Sequence, residues 1–284
     1  MKQVNFIHFS DTHILEDNTK SSLPLTSQKN GTSPENLLRE KAKSAQEYCP
    51  NPDFIVITGD LVHEGEKTDY VYFKNIIEDI FPHTKVYCCL GNHDRTAAFR
   101  KGYLGEPGGN DEEYYYSEVH LDSGIRIIAL DSSYDNSGAG KLSEKQLNWL
   151  KDDLATRNDA GSILILHHPP VLTEAEGAMN HSLINSKELG DIVRNSDIIA
   201  VLSGHTHQAC ATTFENIIHI TSDSTAFGVH LTNEYMEMNN KTGYSICTVS
   251  GGAFSTYTYQ LAETVKTDFK MPISELMEMM KKQD

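Results

Sequence analysis

Aspartate, asparagine and histidine recur in this chain in one setting, directly after a short apolar run. Asp11 and His13 follow Phe6-Ile7-His8-Phe9, and Gly59-Asp60 follows Phe54-Ile55-Val56-Ile57-Thr58. Gly91-Asn92-His93-Asp94 follows Val86-Tyr87-Cys88-Cys89-Leu90. His167 and His168 close Ile163-Leu164-Ile165-Leu166, and Gly204-His205-Thr206-His207 closes Ile198-Ile199-Ala200-Val201-Leu202. Carboxylate, amide and imidazole groups without a thiolate suit Mn, Fe, Zn or Co at exchangeable, catalytic positions rather than a closed structural zinc site. The eight donors Asp11, His13, Asp60, Asn92, His93, His167, His205 and His207 are too many for one ion and suit two. Two metals about 3.5–4 Å apart can activate a water between them and clamp a phosphate for in-line attack. Such a pair needs a carboxylate that bridges both ions and one histidine left over for the leaving group. A lone histidine after a strand is usually structural, and His8, His83, His120, His219 and His230 read that way. Five motifs in the same setting argue against coincidence.

The elements must bring these groups together. Short apolar runs rich in β-formers and ended by Gly or Asn read as buried strands. In open α/β sheets ligands bind outside the carboxyl ends of the strands, so the five strand ends should converge on one site. Strands are expected at 4–9, 54–58, 86–90, 163–166 and 198–202, with 114–119 and 125–130 forming a hairpin across Asp122-Ser123-Gly124. Helices are expected from Pro34 to Tyr48, Thr68 to Phe81, near 97–101 and from Ser143, where Ser143 and Gln146 have capping-box spacing. Polar stretches at 16–33 and 173–186 leave the presumed site and read as candidate site loops. After Cys210 the pattern changes to short β-like runs at 217–221, 244–249 and 254–260, which read as a second, largely antiparallel sheet. Ile273, Leu276, Met277 and Met280 form a helical stripe for core or homodimer contact. Because the donors run from Asp11 to His207, dividing the chain would divide the site. One domain over 1–284 is expected, with the donors in 1–210 and the second sheet completed by 211–284.

The 284 residues are 38% hydrophobic and 23% charged, as in a globular enzyme, and the formal net charge is −16. An acidic chain has no electrostatic reason to hold a polyanion, so a nucleic-acid partner is not expected. Five cysteines without a C-x-x-C motif imply neither a disulfide framework nor a thiolate zinc site, which fits a reducing cytoplasm. No apolar run approaches the roughly 18 residues of a membrane helix. A signal peptide is not expected either, since its cleavage would remove Asp11 and His13.

Asp11-x-His13, Gly59-Asp60, Gly91-Asn92-His93-Asp94, His167 and Gly204-His205-x-His207, in that order, resemble the calcineurin-like metallophosphoesterase superfamily. Residues Ile127 to Ser133, Leu142-Ser143-x-x-Gln146-Leu147-x-Trp149-Leu150 and His167-His168-Pro169-Pro170 look like its class III cyclic-nucleotide phosphodiesterase branch. The resemblance implies an α/β fold, a four-layer α/β–β/α sandwich with two mixed β-sheets. It implies that Asp11, His13, Asp60 and His207 hold one metal and that Asn92, His167, His205 and again Asp60 hold the other. His93 would stay off the metals and protonate the leaving oxygen, in keeping with its place between a ligand and Asp94, while His168 packs or orients its neighbour. The third residue after the bridging aspartate is often Asp or Asn in this superfamily, but here it is His63, which is expected to contact substrate or orient His93 weakly. Arg95 as a phosphate contact and Asn185 as a substrate-loop residue are further expectations, with a surface ion pair the alternative for Arg95. The cofactors implied are two divalent or trivalent ions (Mn, Fe or Zn). The expected substrate is a small phosphoester, a cyclic nucleotide such as cAMP in first place. A glycerophosphodiesterase, a broad-range phosphomonoesterase and a non-catalytic metal-binding scaffold are the rivals.

Overall fold

The computed structural model describes residues 3–20, 32–107, 110–134, 137–171, 182–232, 234–261 and 266–280. Most of both expected site loops, at 21–31 and 172–181, lies outside them. The first half of the chain alternates strands and helices: β1 (Val4–Phe9), α1 (Pro34–Tyr48), β2 (Phe54–Thr58), α2 (Lys67–Ile80), β3 (Val86–Cys89) and α3 (Thr96–Phe99), which runs into a π-helical turn (Arg100–Leu104). The second half starts with β4 (Tyr116–Val119), β5 (Arg126–Ala129), α4 (Glu144–Leu154), β6 (Ser162–Ile165), α5 (Ser186–Val193) and β7 (Ile198–Ser203). It continues with β8 (Cys210–Phe214), β9 (Ile217–Thr221), β10 (Gly228–Leu231), β11 (Tyr235–Asn239), β12 (Gly243–Ser250), β13 (Ala253–Gln260), β14 (Thr267–Pro272) and α6 (Ile273–Met280).

Successive side chains of a strand point to opposite faces, and the apolar residues sort accordingly. Phe6, Phe54, Val56, Tyr87 and Cys89 from β1–β3 share one core with Ile127, Ile163, Ile165, Ala200 and Leu202 from β5–β7, so the two sheets face each other. Ile7, Ile55, Ile57 and Cys88 point the other way, into a core with Leu38 and Ala42 of α1 and Phe73 and Ile77 of α2. Ile128, Leu164 and Val201 likewise pack with Leu150 of α4 and Leu189 of α5. The result is helices, sheet, sheet, helices: the expected four layers. Cys88 and Cys89 lie in different cores, as adjacent strand residues must.

One sheet has the order β13-β12-β1-β2-β3, parallel from β1 to β3 and antiparallel on the β12–β13 side; the other, β4-β5-β6-β7-β9-β8, has a parallel centre and antiparallel edges. The C-terminal strands do not form the expected second antiparallel sheet. An open strand edge leaves its N–H and C=O groups unpaired. β12 takes up the free edge of β1 in antiparallel register, Ile246 opposite Ile7, and β9 lies parallel to β7. Strands β10, β11 and β14 form a separate antiparallel sheet that no apolar run announces.

Helix signals were readable locally. Ser33 Oγ accepts from Asn36 N at the start of α1, and Ser143 Oγ accepts from Gln146 N at the start of α4. The capping box is only half formed, however. The Gln146 amide does not return to Ser143 but bonds both Asp131 N and Asp131 O at 2.8 Å, tying α4 to the end of β5. The helical stripe of α6 is half-buried at Ile273, Leu276 and Met277.

At the opposite end of the second sheet Arg126 is buried. Its guanidinium reaches both carboxylate oxygens of Asp197, Ser162 Oγ and the Asp153 and Thr156 carbonyls. Removing Asp197 would leave only the more exposed Asp153 carboxylate, 3.3 Å from Arg126 Nη1, to balance the buried guanidinium. Asp197→Ala should cost about 3–5 kcal/mol in urea unfolding, with unchanged metal content in the fraction that remains folded. A loss below about 1 kcal/mol, the range of exposed pairs, would show that the Arg126 network contributes little.

Candidate metal centre

All five motifs follow the carboxyl ends of parallel strands: Asp11 and His13 after β1, Asp60 after β2, Asn92 and His93 after β3, His167 after β6, and His205 and His207 after β7. The chain must turn sharply there to aim these side chains inward. Asp11, His13, Asp60, His205 and His207 all adopt left-handed backbone, with φ of 51°, 43°, 46°, 73° and 53°. Non-glycine residues rarely accept this conformation and concentrate it at functional sites. The turns are held by each other: Asp11 N donates to Gly59 O at 3.1 Å and His13 N to Asp60 O at 2.9 Å. Two glycines permit the approach. A Cβ on Gly204 would stand 1.8 Å from Ser10 Oγ, and one on Gly91 would stand 2.2 Å from Asp60 Oδ1.

The donor atoms form two groups that share one oxygen. His207 Nε2 lies 3.1 Å from Asp11 Oδ1 and 3.2 Å from His13 Nε2, which is 3.7 Å from Asp60 Oδ2. On the other side of Asp60, His167 Nε2 lies 3.4 Å from Oδ2, 3.1 Å from Asn92 Oδ1 and 3.1 Å from His205 Nδ1. Two nitrogens each bound at about 2.0–2.1 Å to one tetrahedral cation sit about 3.3 Å apart, close to these spacings. Asp60 commits one oxygen elsewhere and leaves the other for the site, and Asp11 Oδ1 faces His207 Nε2 while sharing the His205 N–H at 3.2 Å. Asp11 Oδ2 accepts from Ser10 Oγ and His205 N, and Asp60 Oδ1 accepts from His93 N at 2.9 Å. The residues present therefore fit a dinuclear metal centre.

Main-chain carbonyls orient the imidazoles. Thr58 O lies 2.8 Å from His167 Nδ1, Phe227 O 2.9 Å from His207 Nδ1 and His63 O 3.0 Å from His93 Nδ1. With Nδ1–H donated to a carbonyl, Nε2 is the nitrogen left for the site. His93 thus receives its orientation from the carbonyl of His63 rather than from Asp94. The Asp94 carboxylate faces away and clamps the loops, accepting from Gly91 N, Leu61 N and Tyr70 Oη at 2.9, 3.1 and 2.9 Å. Burial and the charge of Asp60 push the Asp94 carboxyl up to about 7 despite these bonds.

The residues expected to touch substrate are placed differently. His63 is 3% exposed, its Nδ1 is 3.1 Å from His13 Nδ1 and its ring stacks on His93 at 4.6 Å, a position for orienting these rings rather than for contact. Burial, with His93 beside it, lowers His63 to about 4, so it is neutral at physiological pH. Arg95 is 66% exposed and pairs with Glu66 at 3.6 Å, the alternative foreseen for it. Asn185 bonds the Leu142 N–H and carbonyl at 3.0 and 2.8 Å, fixing the start of α5. None of the three lines the cavity of about 210 Å³ over the donors, whose walls include His13, Asp60, Asn92, His93, His205 and His207. His168 packs on His167 and His205 and lies 2.8 Å from Ser132 Oγ through its Nδ1, in keeping with an orienting role.

The buried segment 222–228 was not anticipated. Ser224 Oγ donates to Asp11 O, Thr225 N donates to Ser10 O, and Phe227 supplies the carbonyl for His207. Its signal was present: Ser222-Asp223-Ser224-Thr225 is another polar run that directly follows an apolar strand.

The family model described as calcineurin-like phosphoesterase matches residues 4–209. A probable cyclic nucleotide phosphodiesterase of Rhodococcus erythropolis is 31% identical over 243 residues, 85% of this chain and 77% of the relative. A cAMP/cGMP dual specificity phosphodiesterase of Mycobacterium tuberculosis is 30% identical over 228 residues, 80% and 69% of the two chains. Among solved structures, a dimetal phosphatase from Danio rerio has the same fold, with a TM-score of 0.59 at 16% identity over 90% of this chain and 99% of that one.

Burial alone would lower the His167 pKa, but the Asp60 carboxylate raises it from 6.5 to about 9, while His167 and His93 hold Asp60 well below the usual carboxylate range. Without a cation, His167 therefore carries a proton that an incoming metal must displace. Metal uptake should release this proton, and apparent affinity should climb with pH and level off above about 9. Titration calorimetry with Mn²⁺ in buffers of different ionisation enthalpy measures the release; none at pH 7.5 would refute the assignment. A pKa raised by folding stabilises fully below 6.5, so the metal-free protein should lose that increment as pH rises through about 9.

Proposed function

This chain belongs to the calcineurin-like phosphoesterase family, and on that footing we propose that it hydrolyses a phosphodiester, with a 3′,5′-cyclic nucleotide such as cyclic AMP as the favoured substrate. The observation that carries this reading is the sharing of Asp60 Oδ2 by two donor groups, at 3.4 Å from His167 Nε2 and 3.7 Å from His13 Nε2. The two relatives, both named as cyclic-nucleotide phosphodiesterases, favour a diester over a monoester.

In this reading Asp11, His13, Asp60 and His207 hold one ion, and Asp60, Asn92, His167 and His205 hold the other; Mn, Fe and Zn all suit the donor set. When bound, the ions supply polarisation of the phosphoryl group and a nucleophile at neutral pH. Asp60 keeps the two sites adjacent, and its second oxygen, on His93 N, fixes where His93 stands relative to both. His93, half-buried on the cavity wall with Nδ1 on the His63 carbonyl, directs Nε2 at the substrate. When protonated it donates from Nε2 to the departing oxygen, and the carbonyl stabilises the positive ring. His13 and Phe227 close the cavity beside it, with ring centroids 5.2 Å apart.

The whole chain acts as one domain in this proposal, a view supported by β12, which pairs with β1 from the far end of the sequence. A cytoplasmic location is supported by the buried, unbridged thiols of Cys49, Cys88, Cys89 and Cys247. No helix among the described residues is long and apolar enough to cross a membrane.

The Mn-loaded protein should turn over cyclic AMP faster than glycerophosphodiesters or nucleoside monophosphates in a side-by-side screen; the reverse order would overturn the substrate choice. His93→Ala should retain two ions per chain by elemental analysis and lose about 10²–10⁴-fold in kcat. Asn92→Ala should lose one ion. An empty site in His93→Ala would refute the division of roles.

A further inference from the structure

One side of the cavity over the donors is made of different material. Facing the polar cluster stand Phe227, Val229, Leu231, Met236 and Met238. The last four form two cross-strand pairs, with Val229 opposite Met238 on β10 and β11 and Leu231 opposite Met236. The period of two puts all four on one face of the small sheet, while the alternate pair, His230 opposite Glu237, falls on the other. The wall is joined to the donors: His207 Nδ1 lies 2.9 Å from Phe227 O, and Val229 N donates to His207 O. The Phe227 ring lies 4.3 Å from that of His207.

Leu, Val and two Met side chains left half-buried beside a cluster of carboxylates and imidazoles gain from being covered. Because the cavity is continuous with the donors, a molecule whose phosphate the donors hold can lay its other end against this wall. A glycerol or ethanolamine moiety is polar and gains little there. A flat aromatic group gains most, and thioethers adapt to ring edges and faces.

The geometry points to Val229, Leu231, Met236 and Met238 as a subsite for the nucleobase of the phosphoester. This rests on the nucleotide reading given above and adds the residues that select for it. The double variant Met236→Thr, Met238→Thr keeps β-branched, strand-compatible residues and touches no donor. In titration calorimetry on the Mn-loaded protein, AMP and ribose 5-phosphate differ only in the base. The wild type should bind AMP at least about tenfold more tightly, and the double variant should retain less than about threefold of that advantage. Its affinity for ribose 5-phosphate should not change. Equal binding of the two ligands by the wild type, or an undiminished preference in the variant, would overturn the subsite. If thermal melts show the double variant unfolded, Leu231→Thr carries the same test. A wild type that prefers AMP but hydrolyses no cyclic nucleotide would uphold the subsite and overturn the substrate reading instead.

Discussion

A single buried carboxylate, Asp60, follows β2 of one sheet and faces imidazoles from both, His13 after β1 on its own sheet and His167, His205 and His207 after β6 and β7 of the other, and the rest of the molecule is arranged around it. Burial alone would push a carboxylate toward its neutral form. His167 and His93 keep Asp60 charged, whereas His13 is held well below its ordinary value by burial. Without metal, one proton on His167 does part of the work of the cations. The turns that bring these side chains together place five donor residues in left-handed backbone, at about 1–2 kcal/mol each. A fold bears such strain where its surroundings leave no alternative. Here the surroundings are the reciprocal hydrogen bonds between the turns after β1 and β2 and the Asp94 clamp between the turns after β2 and β3.

Backbone does much of the positioning. His167, His207 and His93 are each oriented by a peptide carbonyl, from Thr58, Phe227 and His63 in turn. A carbonyl fixed in a strand end or tight turn has no rotamer to lose, so it holds an imidazole more firmly than a long side chain can. This explains how the cluster tolerates His63 where relatives of this superfamily often carry Asp or Asn. The contact that orients His93 comes from the main chain, and the ring of His63 is free to pack between His13 and His93.

Much of this was legible in the residue order, and the exceptions have physical causes. Parallel strands buried on both faces read as continuous apolar runs, so β1, β2, β3 and β7 were found within a residue or two, together with the donors that follow them. Strands β8, β10, β11 and β14 are half-exposed and mix Thr, His, Glu and Met with apolar residues; sequence periodicity is weak when neither face is fully buried. Ser143 and Gln146 had the spacing of a capping box, but a buried Asp131 backbone competed for the glutamine amide and won. Arg95 was read from its charge and Asn185 from its place in a loop of the resembling branch, and neither reveals that Glu66 and the Leu142 backbone stand nearer to them. The Phe227 carbonyl could not be foreseen, since a peptide group leaves no trace in residue identity.

The donors lie between Asp11 and His207, whereas the apolar side of their cavity comes from 227–238, a later stretch with its own small sheet. Side-chain changes in the later stretch leave the ligand contacts in place, because Phe227 and Val229 hold His207 through their backbone rather than through their side chains. Side-chain changes among Val229, Leu231, Met236 and Met238 would thus reshape the apolar wall of the cavity without altering any residue of the donor set.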